Sequence, residues 1–300
     1  MLVPAPTAKP YDSPSNHRLL IRIISRMFRK SLVVLATFLL GLGYANAQLT
    51  TERAALAKPK LVDPLPFKVG ETLVYDVSFS RLIFSGVIGE LKLSVSKPDT
   101  PATPEMLELK ADAVSKGFFP ALFGIKVKDR FVSLVNQSDF GIHTSKKLLE
   151  EGKVRREQTS VINRDTGIVT YSDRDLASTK SVPKVKEKPS PSWIQDLLST
   201  IYYVRTQTLK EGDVIPVPIS DAGEVYNIEI VPGKREEIKT SSGKVNAIPL
   251  NAKVFDGRYI KRSGEMLVWV TDDPVRIPLR AKIKTSGATV TVELKRILPS

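Results

Sequence analysis

Along most of the chain, apolar and polar residues alternate one by one. "ETLVYDVSFS" (residues 71–80) sets Leu73, Tyr75, Val77 and Phe79 on one side. "GELKLSVS" (89–96) does the same with Leu91, Leu93 and Val95, and "MLELKADAVS" (106–115) with Leu107, Leu109, Ala111 and Ala113. "VKDRFVSLVN" (127–136) and "REQTSVINR" (156–164) continue the pattern. A period of two marks a strand with one buried and one wet face. Strands of this kind belong to antiparallel sheets, because parallel strands are covered on both faces and read as continuous apolar runs.

Turn signals separate the strands. Asp165, Thr166 and Gly167 lie between two β-type stretches, and "KKLLEEGKVRRE" (146–157) places mixed charge around Gly152, as a solvated hairpin end would. Further turns are expected at "DAG" (221–223), Ser242-Gly243, Asp272–Pro274 and Ser286-Gly287. The glycines of "SGVIGE" sit inside a strand pattern and predict a bulge or turn. Pro216 and Pro218 alternate within "GDVIPVPISD", which suits an edge strand.

One segment changes period. In "SWIQDLLSTIYYVRTQ", Ile194, Leu197, Leu198 and Ile201 recur at helical spacing, and Tyr202 extends the apolar face. Ser192 with Gln195 reads as a capping box, preceded by Pro191, and Gly212 follows the segment. A helix of about 14 residues, packed across a sheet, is expected. The fold class is therefore mainly β: a curved antiparallel sheet or barrel-like meander of about a dozen strands with one principal amphipathic helix.

Two stretches break the alternation. "ASTKSVPKVKEKPSPS" (177–192) is rich in Pro and Lys and reads as an exposed loop. "FFPALFGI" (118–125) is a compact apolar run that suits either a loop packed over a barrel mouth or a lip touching lipid. Phe118, Phe119, Leu122 and Phe123 are the candidate ligand contacts.

The N-terminus carries an address. Arg18, Arg22, Arg26, Arg29 and Lys30 precede the 13-residue apolar run "SLVVLATFLLGLG", and Ala45-Asn46-Ala47 follows it. This order defines a cleavable secretory signal over residues 1–47. The run is shorter than the roughly 20 residues a membrane span needs, so no transmembrane segment is expected after cleavage. Met27 offers a second start, since the signal from Met27 onward is complete by itself. Residues 48–66 read as a flexible leader, and 67–300 as a single β-rich domain. The chain has no cysteine, which rules out disulfides, thiolate metal sites and a lipid-modified N-terminal Cys. An exported protein, periplasmic or secreted and not lipid-anchored, is the expectation.

The net charge is +13. An excess of this sign favours anionic partners such as a lipid surface, lipopolysaccharide or an acidic glycan. Nucleic acid is not expected, because the chain is exported and has no binding motif.

Catalytic chemistry is sparse. Beyond the signal, His143 is the one histidine, so no multi-histidine metal site can form, and no nucleophile elbow or phosphate-binding loop is present. Neither a metal nor a cofactor is expected. Two carboxylate pairs, Asp272-Asp273 and Asp173 with Asp175, could in principle serve a hydrolase. Asp-Asp-Pro between two alternating strands is also what a turn uses, since Asp bonds its own backbone. In that reading Trp269 and Leu279 face inward, while Arg276 and Arg280 lie on the opposite face.

Three motifs carry a family resemblance. The first is "FKVGETLVY", with Gly70, Glu71 and Tyr75. The second is "QDLLSTIYYVR", with Gln195, Asp196, Tyr202 and Arg205. The third is "WVTDDPVRIP", with Trp269, Asp273 and Pro278. In this order they resemble the exported bacterial proteins grouped as domain of unknown function 3108 (DUF3108 domain-containing proteins). The resemblance implies a β-rich envelope protein with no assigned activity, and it carries over no catalytic residue. The expected role is non-enzymatic binding of a lipid-like or anionic amphipathic ligand. The alternatives are a structural or assembly factor docking on another envelope protein, by an exposed sheet edge, and a carboxylate-dependent hydrolase.

Overall fold

The computed structural model describes residues 60–299 apart from 82–83, 100–104, 125, 242, 256–263 and 286. The expected signal over 1–47, and the leader up to residue 59, lie outside the described residues. The elements run β1 (Thr72–Arg81), β2 (Phe84–Ser96), β3 (Met106–Ser115), α1 (Phe118–Phe123), β4 (Lys128–Asn136), β5 (Ile142–Glu151), β6 (Val154–Asn163), β7 (Ile168–Asp175), β8 (Lys184–Pro189), α2 (Leu197–Arg205), β9 (Ile215–Asp221), β10 (Glu224–Pro232), β11 (Glu236–Thr240), β12 (Gly243–Ala252), β13 (Gly264–Thr271), β14 (Pro278–Thr285) and β15 (Ala288–Leu298). No helix among the described residues is long and apolar enough to cross a membrane.

All fifteen strands join one antiparallel sheet in the order β8-β7-β6-β5-β4-β3-β2-β1-β15-β14-β13-β12-β10-β9, with β11 paired to β12. The first and last strands meet: Tyr75 lies opposite Leu91 on one side and Leu294 on the other. Ile88 is a bulge opposite β1, between Gly89 and Val87, where the sequence placed one. Gly167 has φ 67, so the turn between β6 and β7 takes a left-handed residue where glycine costs least.

The sheet curls but does not close, since β8 and β9 are its two edges. Two devices bring the edges together. The first is a strap of residues 192–196. Gln195 N–H donates to Pro218 O at 2.9 Å and Ser220 N–H to Gln195 O at 2.8 Å, while Ile142 N–H donates to Ile194 O at 3.0 Å. The second is the β9–β10 turn, where Asp221 pairs with Lys147 of β5 in a buried salt bridge. Glu224 pairs with Lys186 and Lys188 of β8 at 3.0 and 3.1 Å.

The structure corrects the sequence reading at four places. Lys184–Pro189, within the stretch read as a loop, forms β8. Its side chains give no alternation because both of its faces are exposed, and backbone pairing to β7 orders it. The helix starts at Leu197, not after Ser192, and spans nine residues instead of about 14. Asp196 is its N-cap and Ser199 completes the capping box. Backbone pairing of Gln195 to β9 competes with the first turn and wins.

The third correction concerns "FFPALFGI", which forms the six-residue helix α1. The fourth concerns sidedness. Trp269 and Leu279 are buried, but in a small cluster with Ile238 and Ala247, while Val268 and Val270 point into the main interior. β11 folds back over this second face, and Trp269 Nε1 donates to Glu236 at 2.6 Å. Arg280 lies on the same side as Trp269 and bonds Lys239 O and Glu293. Arg276 is in the β13–β14 connection, not on a strand face.

Candidate functional site

The family-motif residues other than Trp269, scattered over two hundred positions, meet around α2, whereas Trp269 packs on the second face of the sheet. Arg205 is fully buried and donates to both oxygens of Glu71 at 2.6 and 2.9 Å, to Pro66 O at 3.1 Å and to Val275 O at 3.2 Å. Its guanidinium stacks over Phe67 at 5.0 Å and Tyr202 at 5.5 Å. Gly70, with φ 93, turns the chain into β1 and donates to Val95 O at 2.9 Å.

Tyr75 donates to Pro278 O at 3.0 Å, and burial pushes its hydroxyl pKa well up. Asp196 caps α2 with one oxygen and accepts from Ser133 on β4, at 2.6 Å, with the other. Gln195 donates to Phe140 O and Trp193 O, both at 2.8 Å. Asp273 accepts from Thr271 Oγ1 and from the amides of Val275 and Arg276, at 2.8 to 2.9 Å. It thereby shapes the loop whose Val275 carbonyl receives Arg205. Arg276 donates in turn to Arg205 O and Gln207 O. The charged groups of this clasp are engaged with one another and with the backbone, while Tyr202 Oη and Gln195 Oε1 are buried without a hydrogen-bond partner.

Above the clasp the interior is not filled. A partly open apolar cavity of about 240 Å³ lies between α2 and the sheet. Leu197, Ile201 and Val204 of α2 face Leu93, Ile230, Val268 and Val270 across it. The reason is geometric: a nine-residue helix is about 13 Å long, whereas a ten-residue strand reaches about 33 Å. The helix plugs only part of the lumen, and Tyr75 and Pro278 line the cavity from the clasp side.

α1 stands beside the cavity. It leaves the chain after Ser115 and returns it at Val127, both of which line the space. Phe118 is 70% exposed. The side chains of Phe119, Leu122 and Phe123 lie outside the described residues.

One feature escaped the sequence reading. Two neighbouring inward-facing rows of the sheet each end in an acid. Tyr75, Leu91, Ala113 and Asp129 form one row across β1 to β4. Val77, Gly89, Ser115, Val127 and Glu151 form the next. Asp129 lines the cavity and is only 2% exposed. Its Oδ1 accepts from Glu150 N–H at 2.9 Å, while its Oδ2 and Glu151 Oε1 are buried without a hydrogen-bond partner. Burial, and then the neighbouring Asp129, push the Glu151 carboxyl up to about 8. Burial also raises Asp129. The signal was an acid in the buried phase of β4, where Asp129, Phe131, Ser133 and Val135 alternate inward. Glu151, taken with the solvated hairpin end, reaches the interior instead.

The other candidate acids serve structure. Asp272 accepts from Arg235 at 3.0 Å, and Asp173 pairs with Arg156. His143 lies 3.0 Å from Arg164, and burial, then that charge, lowers its pKa. Among the described residues no group of three or more His, Cys, Asp or Glu could hold a metal ion.

A family model described as "Protein of unknown function (DUF3108)" matches residues 74–295. A search of the curated proteins finds no match. Among solved structures, a β-barrel-like protein of domain of unknown function DUF1849 from Brucella abortus is similar, with 10% identity and a TM-score of 0.51. The alignment covers 77% of this chain and 97% of that one. A Bacteroides fragilis protein of YmcC-like fold aligns at 11% identity and a TM-score of 0.32, over 78% of this chain and 98% of its own.

Proposed function

We propose a role for this chain, which belongs to the DUF3108 family of proteins of unknown function: it holds the apolar part of a lipid-like amphiphile inside its curled sheet, outside the cytoplasm and without chemistry. The observation that carries this reading is the apolar cavity of about 240 Å³ between α2 and the sheet. An apolar cavity of roughly 150 Å³ already stays dry and takes up benzene. Each buried methylene is worth about 0.8 kcal/mol, so six of them contribute about 5 kcal/mol. The N-terminal signal pattern supports export, and the exposed Phe118 beside the cavity suits an entry point for a chain leaving a membrane surface.

The two alternatives find less support. Docking by strand addition needs a free sheet edge. β8 carries Lys184, Lys186, Lys188 and Pro189, and β9 is already paired to Gln195 of the strap. Lysines, proline and a covering segment are the devices that blunt edges. A hydrolase built on Asp272 and Asp273 would need them free, and Asp272 is engaged by Arg235 while Asp273 is engaged within its own loop.

The test uses N-phenyl-1-naphthylamine, an apolar dye that brightens in a dry site. Wild-type protein lacking residues 1–47 is expected to enhance its fluorescence saturably. Ile201→Trp and Val270→Phe, which fill the cavity from opposite walls, are expected to abolish the enhancement while the circular dichroism stays β-rich. Absence of enhancement in the wild type, or equal enhancement in a folded filled variant, rejects the reading.

A further inference from the structure

We infer that Asp129, which lines the cavity, and Glu151 beside it form a head-group site and accept hydrogen bonds from the primary ammonium of an alkylamine-type amphiphile. The inference rests on the lipid-binding reading above and adds the class of head group.

Three observations support it. Asp129 ends an inward row of the sheet and lines the cavity, almost completely shielded from solvent. Its Oδ2 and Glu151 Oε1 are buried acceptors that meet each other and no donor from another side chain. Finally, the cations that could face the pair from inside are committed elsewhere: Arg280, which also lines the cavity, is bound to Glu293, while Lys126 and Lys128 hold exposed positions. Lys147, two places along the inward face of β5 from Leu149, is bound to Asp221. Arg156, opposite Leu149 on β6, is bound to Asp173. Arg130 of β4 is bound to Asp112, and Lys116 before α1 to Glu90 of β2. α1 itself has no charged residue between Phe118 and Phe123.

A buried acceptor without a donor is costly. The missing partner must bring hydrogen-bond donors and tolerate two carboxyl groups and the nearby Glu90. An ammonium does both, because it offers three donors and a positive charge. An anionic head meets like charge at the same place. Without a cation the pair is relieved by holding a proton, which agrees with the raised Glu151. When the ammonium enters, that proton leaves to solvent and the ammonium takes its place between the oxygens. The basic surface of the protein can attract an anionic membrane, but the selection inside the cavity is for the opposite sign.

Displacement of N-phenyl-1-naphthylamine from the protein lacking residues 1–47 tests this at pH 7 with dodecylamine, dodecanoate, dodecanol and ethylamine. Dodecylamine is expected to displace the dye at about tenfold lower concentration than dodecanoate, the usual scale of a charge-assisted hydrogen bond. Ethylamine, a head without a tail, is expected to displace nothing over that range. Asp129→Asn with Glu151→Gln is expected to bring dodecylamine and dodecanoate within about twofold of each other while dodecanol is unaffected. Equal displacement by dodecylamine and dodecanoate in the wild type overturns the inference, as does a preference that survives the double substitution or displacement by ethylamine. If the double variant fails to fold, the wild-type ratio decides alone. If dodecanol displaces dye but the heads are not distinguished, only the head-group inference falls. If the dye does not bind at all, both readings fall.

Discussion

Replacing Arg205 with Met would remove the centre of the clasp and leave its surroundings in place. Four hydrogen bonds disappear: two to Glu71 and one each to Pro66 O and Val275 O. The larger effect is electrostatic. The side chain of Glu71 is 11% exposed, so its carboxylate would stay buried without its counter-charge. Breaking one side of such a buried pair costs about 3–5 kcal/mol. For a chain of this size each kcal/mol shifts the melting temperature by about 2–4 °C, giving a drop of about 6–20 °C. Urea unfolding and thermal melting followed by circular dichroism at pH 7 would measure it.

The companion variant carries Glu71→Met as well. It removes both charges and fills the volume with apolar atoms, and is expected to recover more than half of the loss, as buried pairs replaced together often do. A loss below about 1 kcal/mol for Arg205→Met would refute the reasoning, because it would mean the pair is solvated in solution. A double variant less stable than the single one would also refute it, since the cost would then come from packing and not from an orphaned charge.

Two further outcomes follow from the interior. The folded pKa of Glu151 lies near 8, above its ordinary 4.5, so its carboxyl costs nothing below about pH 4.5 and progressively destabilises the fold as pH rises toward 8. Because the group is only partly buried, the wild type should lose about 1–2 kcal/mol more than Glu151→Gln between pH 5 and pH 8. Urea midpoints across that range read the difference, and identical slopes would contradict it. Gly141→Ala would place a Cβ 2.6 Å from Ser192 O and 2.8 Å from Trp193 Cα, both backbone atoms. The strap must shift, at a cost of about 1–3 kcal/mol, and amide exchange at Gln195 and Ser220 should accelerate. Unchanged exchange there would show that the strap does not hold the edge.

What the sequence made legible followed from local periodicity. Leu73, Tyr75, Val77 and Phe79 had to share a face of one strand, and Asp273 had to shape a turn. Sidedness was not legible. Alternation says that Val268 and Val270 oppose Trp269, but not which side is the lumen, and the answer came from β11 folding over Trp269. The start of α2 was hidden for a similar reason, because Ser192 and Asp196 both offer caps and only the pairing of Gln195 with a strand twenty residues later decides between them. Asp129 was readable in hindsight as an acid out of phase. Glu151 was not, since its row is completed only by a single isolated bridge to Val127.

A closed barrel has its girth dictated by its strand number and stagger. This sheet escapes that rule, because its edge strands β8 and β9 never pair with each other. Its circumference is instead a matter of fit: the wall wraps until the strap and the Lys147–Asp221 pair can reach. The helix therefore works as a gauge block. A bulkier or slimmer face on α2 would reset how far the wall curls, and with it the bore of the cavity, without touching a single strand. On the proposed role, the width of the cargo this chain accepts would then be set by a few residues of one nine-residue helix.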